Sequence, residues 1–449
     1  MDDRLLIHNV RLVDETTDKP NAALLINGGK IERLLSAEDA ARLLQQEGGS
    51  LAAFDGKGLV LMPSFIDMHA HFRDPGLTQK EDIETGCLAA AAGGFGTLVL
   101  MPNTKPVVSS QEMAEINNNK ARLFGRANVI QSVSITRDFD GTTVSHLEDI
   151  QRETVPLVTE DGHEVTDSAV MLQAMRIAAK KGIIVSCHCE DPFLAAAARP
   201  LRQQALALLN SADEGQAGDE ARRQAADLLS QANTLLALAE DTATDRNIAL
   251  AAEAGCHLHL CHVSTAHCFE SVRRAKKAGQ DITCEVTPHH LGLAGDTAPR
   301  IFHIVNPPLR SEADRQAVVD ALLDGSADCI ATDHAPHTAG DKAGGSPGFS
   351  GLETAFAVCH TTLVLGNNMP LTTLSRRMSA TPAHLLHLED RGTLAPGKRA
   401  DLVLVNTEEK WIVEGESFAS KGKYTPLEGE TVTGSVQATF LNGNLVFQA

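Results

Sequence analysis

Positive charge is scarce in this chain. Its 449 residues carry 39 lysines and arginines against 58 aspartates and glutamates, a formal charge of -19 with histidine neutral. That balance disfavours nucleic acid or an anionic membrane as a partner, although a local arginine or metal ion can still draw in a small anion. A long uninterrupted apolar run is also missing. The longest, "CLAAAAGGFGTLVLMP", is broken by glycines, so no membrane span is expected. The opening "MDDRLLIHNV" has no basic stretch followed by an apolar segment, and export is not expected either. The nine cysteines lack the even count and regular loop spacing of a disulfide framework, and most sit inside apolar runs. They predict reduced, buried thiols in a cytoplasm. No internal repeat or low-complexity tract stands out.

What is present begins with short β-like runs, "LLIHNVRLV" and "AALLING", in residues 1–58. From residue 59 short apolar runs alternate with Ala- and Leu-rich helical segments, the signature of repeated βα units. Eight strand candidates follow one another: "GLVLMPSFID", "GTLVLMP", "ANVIQSVSI", "TVPLVT", "GIIVSCH", "CHLHLCH", "DITCEV" and "ADCIATD". Eight units point to an α/β fold of the (β/α)8 type over 59–388, with chemistry at the C-terminal strand ends. Residues 193–240 break the rhythm and predict a helical insertion between the fifth and sixth strands. From residue 389 the pattern is again β, with the hairpin signal "LNGN". The two chain ends are expected to join in one small β domain.

The stretch "PSFIDMHAHFRDPG" places two histidines one residue apart, so on a strand His69 and His71 point the same way. Other strand ends supply Asp161 in "VTEDGHEV", His188 in "VSCHCED", His262 in "HLCHVST" and Asp333 in "IATDHAPH". Four imidazoles and two carboxylates are too many donors for one tetrahedral ion and suit two, with Zn²⁺ the ion such donors select. His257, His259, His289 and His290 are expected to be core or supporting groups. Strand alternation turns Cys187 and Cys189 away from His188. Arg73, two residues past the histidine pair, offers a fork suited to a carboxylate. The plainer alternative is a surface salt bridge with Asp74 or Glu81.

The string "DMHAHFRDPGLTQKEDIETGCLAAAAGGFGTLVLMPNTKPV", together with "CEVTPHHL", "NPPLRSEADRQAVVDALLDGSADCIATDHAPH" and "GFSGLETAF", resembles the bacterial long-chain dihydroorotases of the amidohydrolase superfamily. The likeness spans residues 55–405 and weakens over 193–240. It implies a metal-dependent (β/α)8 barrel with a composite β-sandwich domain, interconverting N-carbamoyl-L-aspartate and dihydroorotate in pyrimidine synthesis. Position by position it implies His69, His71 and Asp333 on one Zn²⁺, His188 and His262 on a second, and Asp161 as the bridge. It further implies substrate contacts from Arg73, Asn103, Asn306 and His337, with Pro347 and Gly348 nearby, and Asp333 as the proton shuttle. A homo-oligomer is expected, and association with aspartate transcarbamoylase is left open. Two departures stand out. Many relatives bridge their metals with a carboxylated lysine, but "TVPLVTED" contains none, and Glu160 stands where this branch usually has a further aspartate, so either Glu160 or Asp161 could be the ligand. Alternatives are a hydantoinase- or dihydropyrimidinase-like enzyme and an inactive scaffold subunit.

Overall fold

The computed structural model describes residues 4–213, 218–295 and 304–449. The alternating N-terminal runs form β1 (Arg4–Val13) and β2 (Asp18–Asn27), paired antiparallel, and β3 (Lys30–Ser36) extends the sheet beyond β2. β4 (Ala52–Asp55) and β5 (Val60–Pro63) both run parallel to β1.

Beyond β5 the strands become parallel and buried on both faces. β6 (Phe65–Ala70), β7 (Phe95–Leu100) and β8 (Asn128–Gln131) form one sheet. β9 (Val133–Ser134), β10 (Leu157–Thr159), β11 (Ile184–Cys187), β12 (Leu258–Leu260), β13 (Ile282–Val286) and β14 (Cys329–Ile330) form a second. Their near-continuous apolar sequences follow from having helices on one side and packed side chains on the other. Two seams connect these sheets. At one, Ser132 between β8 and β9 donates its N–H to Leu100 O at 3.0 Å. At the other, an isolated parallel bridge joins Ala70 to His334, and His71 N–H donates to His334 O at 2.8 Å.

The intervening helices start where a side chain can accept an orphan N–H: Ser110 precedes Gln111–Phe124, Asp167 precedes Ser168–Lys181, and Thr265 precedes Ala266–Lys277. Gly125 and Gly182 close the first two of these in the left-handed conformation that a Cβ would strain.

β15 (Leu402–Ile412), β16 (Thr431–Leu441) and β17 (Asn444–Gln448) return to the terminal sheet, β15 pairing antiparallel with β5. The two chain ends thus share one eight-stranded mixed sheet. The run "GLVLMPSFID", expected as one strand, is two. Ser64 N–H donates to Asp401 O and Phe65 N–H to Gly94 O, each at 2.9 Å, so the pairing partner changes at Ser64 and the terminal sheet includes residues up to Pro63.

The insertion consists of two long helices, Pro192–Asp213 and Gly218–Ala254, packed through Ala198, Ala205, Ala225, Ala232 and Leu236. The second runs past residue 240 and becomes the connection to β12. Arg310 anchors it, donating to Glu240 Oε2 at 2.8 Å and Ser264 Oγ at 3.0 Å. Both charges are buried, and such a pair persists only with its hydrogen bonds satisfied.

Candidate active site and metal centre

His69 lies on β6 and His71 just beyond it. Asp161 and His262 each follow their strands, β10 and β12, by two residues, His188 directly follows β11, and Asp333 lies three past β14. All six are buried and converge. His69 Nε2 is 3.3 Å from Asp161 Oδ1 and 3.6 Å from Asp333 Oδ1. His71 Nε2 is 3.3 Å from Asp161 Oδ2 and 3.1 Å from Asp333 Oδ1. On the far side His188 Nδ1 and His262 Nε2 lie 3.5 and 3.7 Å from Asp161 Oδ1. Asp161 therefore stands between two groups of imidazoles. The backbone is strained here, with φ of +59° at Arg73, +34° at His262 and +48° at Asp333, values that cluster where function demands them.

These donors fit divalent metal ions. His69 Nε2 and Asp161 Oδ1 are buried without a hydrogen-bond partner although they face each other, and orphaned polar atoms of this kind call for an ion between them. Two overlapping triads, His69/His71/Asp333 and His69/Asp161/His262, each bring their donor atoms within 4.8 Å. Burial alone would push Asp161 and Asp333 towards protonation. The surrounding histidines outweigh it and hold both carboxylates ionised, well below their ordinary pKa. Nearby Cys261 comes within reach of His69 and Glu285, but burial pushes its thiol up to about 12 and it meets the Ser186 hydroxyl at 2.9 Å.

Of the two acidic residues at the end of β10, only Asp161 faces the imidazoles. Glu160 turns the other way, its carboxylate taking the Thr136 N–H at 2.9 Å and the Thr136 hydroxyl. Burial lifts Glu160 to about 7 against those hydrogen bonds. Glu160→Gln should accordingly leave metal content near that of the unsubstituted protein, as measured by elemental analysis. A loss of metal would make Glu160 the ligand.

Glu285 is a participant that the sequence reading passed over. Inside β13 and fully buried, it spans His69 Nδ1 at 2.8 Å and His259 Nε2 at 3.1 Å, and His259 Nδ1 in turn meets Thr283 Oγ1 at 2.8 Å. Such a carboxylate fixes the imidazole's tautomer and turns Nε2 to the centre. Its signal was a lone acid within the apolar run "ITCEV". His290 is a core group, meeting Thr287 and the carbonyls of Pro307 and Pro308. Cys187 and Cys189 are buried free thiols.

A pocket of about 230 Å³ opens over five of the six, His71, Asp161, His188, His262 and Asp333, and Arg73, Asn103, Asn306, His337, Pro347 and Gly348 line it too. Asp74 pairs with Lys120, and Glu81 is engaged by Ser420 and Thr85. Arg73 pairs with neither and forms no ion pair among the described residues; its Nε is buried without a partner. Asn103 Oδ1 meets His71 Nδ1 at 2.9 Å. Lys80 Nζ donates to His337 Nδ1 at 3.3 Å, leaving Nε2–H to donate to Pro347 O at 2.8 Å. Burial, Arg73 and Lys80 depress His337 to about 3, so it is a neutral ring. The fully buried Lys342, also unanticipated, donates to Ile304, Ser346 and Gly348 carbonyls and pins the loop that carries Pro347. A larger cavity of about 670 Å³ lies at the opposite, N-terminal strand ends near Asn128 and Pro156, away from these donors.

The amidohydrolase family model matches residues 60–446. A curated dihydroorotase of Clostridium botulinum (strain Eklund 17B / Type B) is 37% identical over 445 residues, 99% of each chain. The chain belongs to the dihydroorotase group of the amidohydrolase family. The dihydroorotase of Bacillus subtilis (strain 168) is 35% identical over 451 residues, 99% of this chain and 98% of that one. In architecture the family likeness extends to an L-hydantoinase (dihydropyrimidinase) from Arthrobacter aurescens, with a TM-score of 0.83, 24% identity, and coverage of 100% of this chain and 96% of that one. A dihydropyrimidinase from Brevibacillus agri NCHU1002 superposes with a TM-score of 0.81 at 22% identity, covering 99% and 95%. At such identities these two solved structures speak to the fold alone. No helix among the described residues is long and apolar enough to cross a membrane.

Proposed function

We infer that this protein is a dihydroorotase, interconverting N-carbamoyl-L-aspartate and (S)-dihydroorotate in de novo pyrimidine synthesis. The observation that carries the reading is a guanidinium, Arg73, that forms no ion pair among the described residues, set in one small pocket with a ring of ionised carboxylates and imidazoles. The first feature suits a substrate carboxylate and the second suits amide hydrolysis. On this reading β6–β14 are the eight strands of a (β/α)8 barrel, with β8 and β9 together supplying the third, and the terminal sheet is its companion β-sandwich domain. The nine buried thiols fit a reducing cytoplasm.

His69, His71 and Asp333 would hold one Zn²⁺ or similar ion, His188 and His262 a second, and Asp161 would touch both. Ions so held supply Lewis acidity to the ring carbonyl and acidify the attacking water. Arg73 and Asn103 grip the substrate carboxylate and hold the amide over the carboxylates in an attack geometry. Asp333 accepts the proton that the water sheds and passes it to the ring nitrogen as the amide C–N bond breaks. In reverse, the same groups close the ring with loss of water. Neutral His337 borders the carboxylate without adding charge. A hydantoinase-like enzyme binds an uncharged ring, which would leave Arg73 with no partner.

Metal analysis paired with a dihydroorotate hydrolysis assay tests this reading. The purified protein should carry between one and two equivalents of metal, lose hydrolysis on chelation, and regain it when Zn²⁺ is restored. Full activity in a metal-free preparation would contradict it.

A further inference from the structure

The first inserted helix, Pro192–Asp213, reaches the active site. Arg202 Nη1 donates to Asn306 Oδ1 at 2.8 Å, and Nη2 donates to Val305 O at 3.3 Å. The Asn306 amide is committed at its other end too, its Nδ2 donating to Glu190 Oε2 at 2.7 Å. The remaining oxygen of Glu190 lies 4.0 Å from His188 Nε2, the ring nitrogen that faces away from Asp161. One turn along the same helix, Leu206 packs where Gly345 has no side chain: a Cβ there would fall 2.6 Å from Leu206 Cδ2. The helix therefore touches two walls of the pocket, the Val305–Asn306 segment and the loop leading to Pro347.

We propose that Arg202 is a positioning residue of the active site, through which the helical insertion holds the Val305–Asn306 wall and, by way of Asn306 and Glu190, the outer edge of His188. A guanidinium is suited to the task. Its rigid fork grips two acceptors on consecutive residues, whereas an ammonium on a flexible stem fixes neither orientation. With both ends of its amide engaged, Asn306 has one orientation, and the distance from the Arg73 end of the pocket to the His188 end is set. The insertion, which contributes nothing to the metal motifs, is thereby part of the substrate site.

The inference rests on the dihydroorotase reading, and the full-length, metal-loaded protein tests both. Arg202→Met should raise KM for dihydroorotate about tenfold to a hundredfold, the scale of a lost hydrogen bond to a charged group. kcat should stay within about threefold, the pattern of lost ground-state and transition-state binding alike. Metal content should match the unsubstituted protein, and Arg202→Lys should give an intermediate KM. Calorimetric binding of dihydroorotate to Asp333→Asn protein, with and without Arg202→Met, should weaken by the same factor. An unchanged KM in Arg202→Met, with or without a lowered melting temperature, would overturn the proposal, as would a fall in kcat and metal content at constant KM. If Arg202→Met does not fold, Arg202→Lys decides, since an unchanged KM there is equally contrary. Absence of turnover in the unsubstituted protein would overturn the dihydroorotase reading and this inference with it, whereas turnover with an unchanged Arg202→Met KM overturns this inference alone.

Discussion

Replacing Asp333 by asparagine should cut dihydroorotate turnover by at least about a hundredfold, the usual scale of general acid–base help. Asp333 Oδ1 lies within 3.6 Å of both His69 and His71, on the floor of the pocket where the reacting amide must sit. The neighbouring imidazoles keep it ionised against the effect of burial, so it enters the reaction able to accept a proton. Asparagine keeps an oxygen in place for a metal but cannot take up that proton. Steady-state kcat measured beside metal content separates the two roles. Near-normal turnover with normal metal would place the shuttle on another residue.

The second large effect concerns Arg73. Dihydroorotate differs from dihydrouracil by one ring carboxylate, and the guanidinium of Arg73 borders the pocket with no carboxylate paired to it among the described residues, the nearby Asp161 and Asp333 attracting it only at longer range. Arg73→Met should cost about 2–4 kcal/mol of transition-state binding with dihydroorotate, the scale of truncating one partner of a buried charge pair. That corresponds to a fall of roughly thirtyfold to a thousandfold in kcat/KM. Hydrolysis of dihydrouracil should hardly change and metal content should hold. Equal loss on both substrates would mean that Arg73 supports the fold of the pocket instead of clamping a carboxylate.

Much of the centre was legible in the sequence, because strand alternation and strand ends are local properties. His69 and His71 two apart on a strand, and single histidines or aspartates closing later apolar runs, need no knowledge of tertiary contacts. Local periodicity could not separate Glu160 from Asp161, since adjacent residues at a strand end face opposite ways and the decision belongs to Thr136, which captures Glu160 from a neighbouring segment. The division of "GLVLMPSFID" into β5 and β6 was equally hidden. Both halves are apolar and buried, and only pairing with distant β15 distinguishes them. Glu285, Lys342 and Arg202 were missed for a common reason. Each is a charged residue with a decisive partner far along the chain, at His69, at Ile304 and at Asn306, and nothing near it in sequence announces that it will be buried against that partner.

Substrate charge tests the central claim most directly. The measurement is the ratio of kcat/KM for dihydroorotate to that for dihydrouracil, taken on the unsubstituted, metal-loaded protein. A pocket built from Arg73 and Asn103 over the Asp161/Asp333 centre predicts a strong preference for dihydroorotate, by the same roughly thirtyfold to thousandfold that Arg73 contributes. A ratio near one, or a preference for dihydrouracil, would contradict the account.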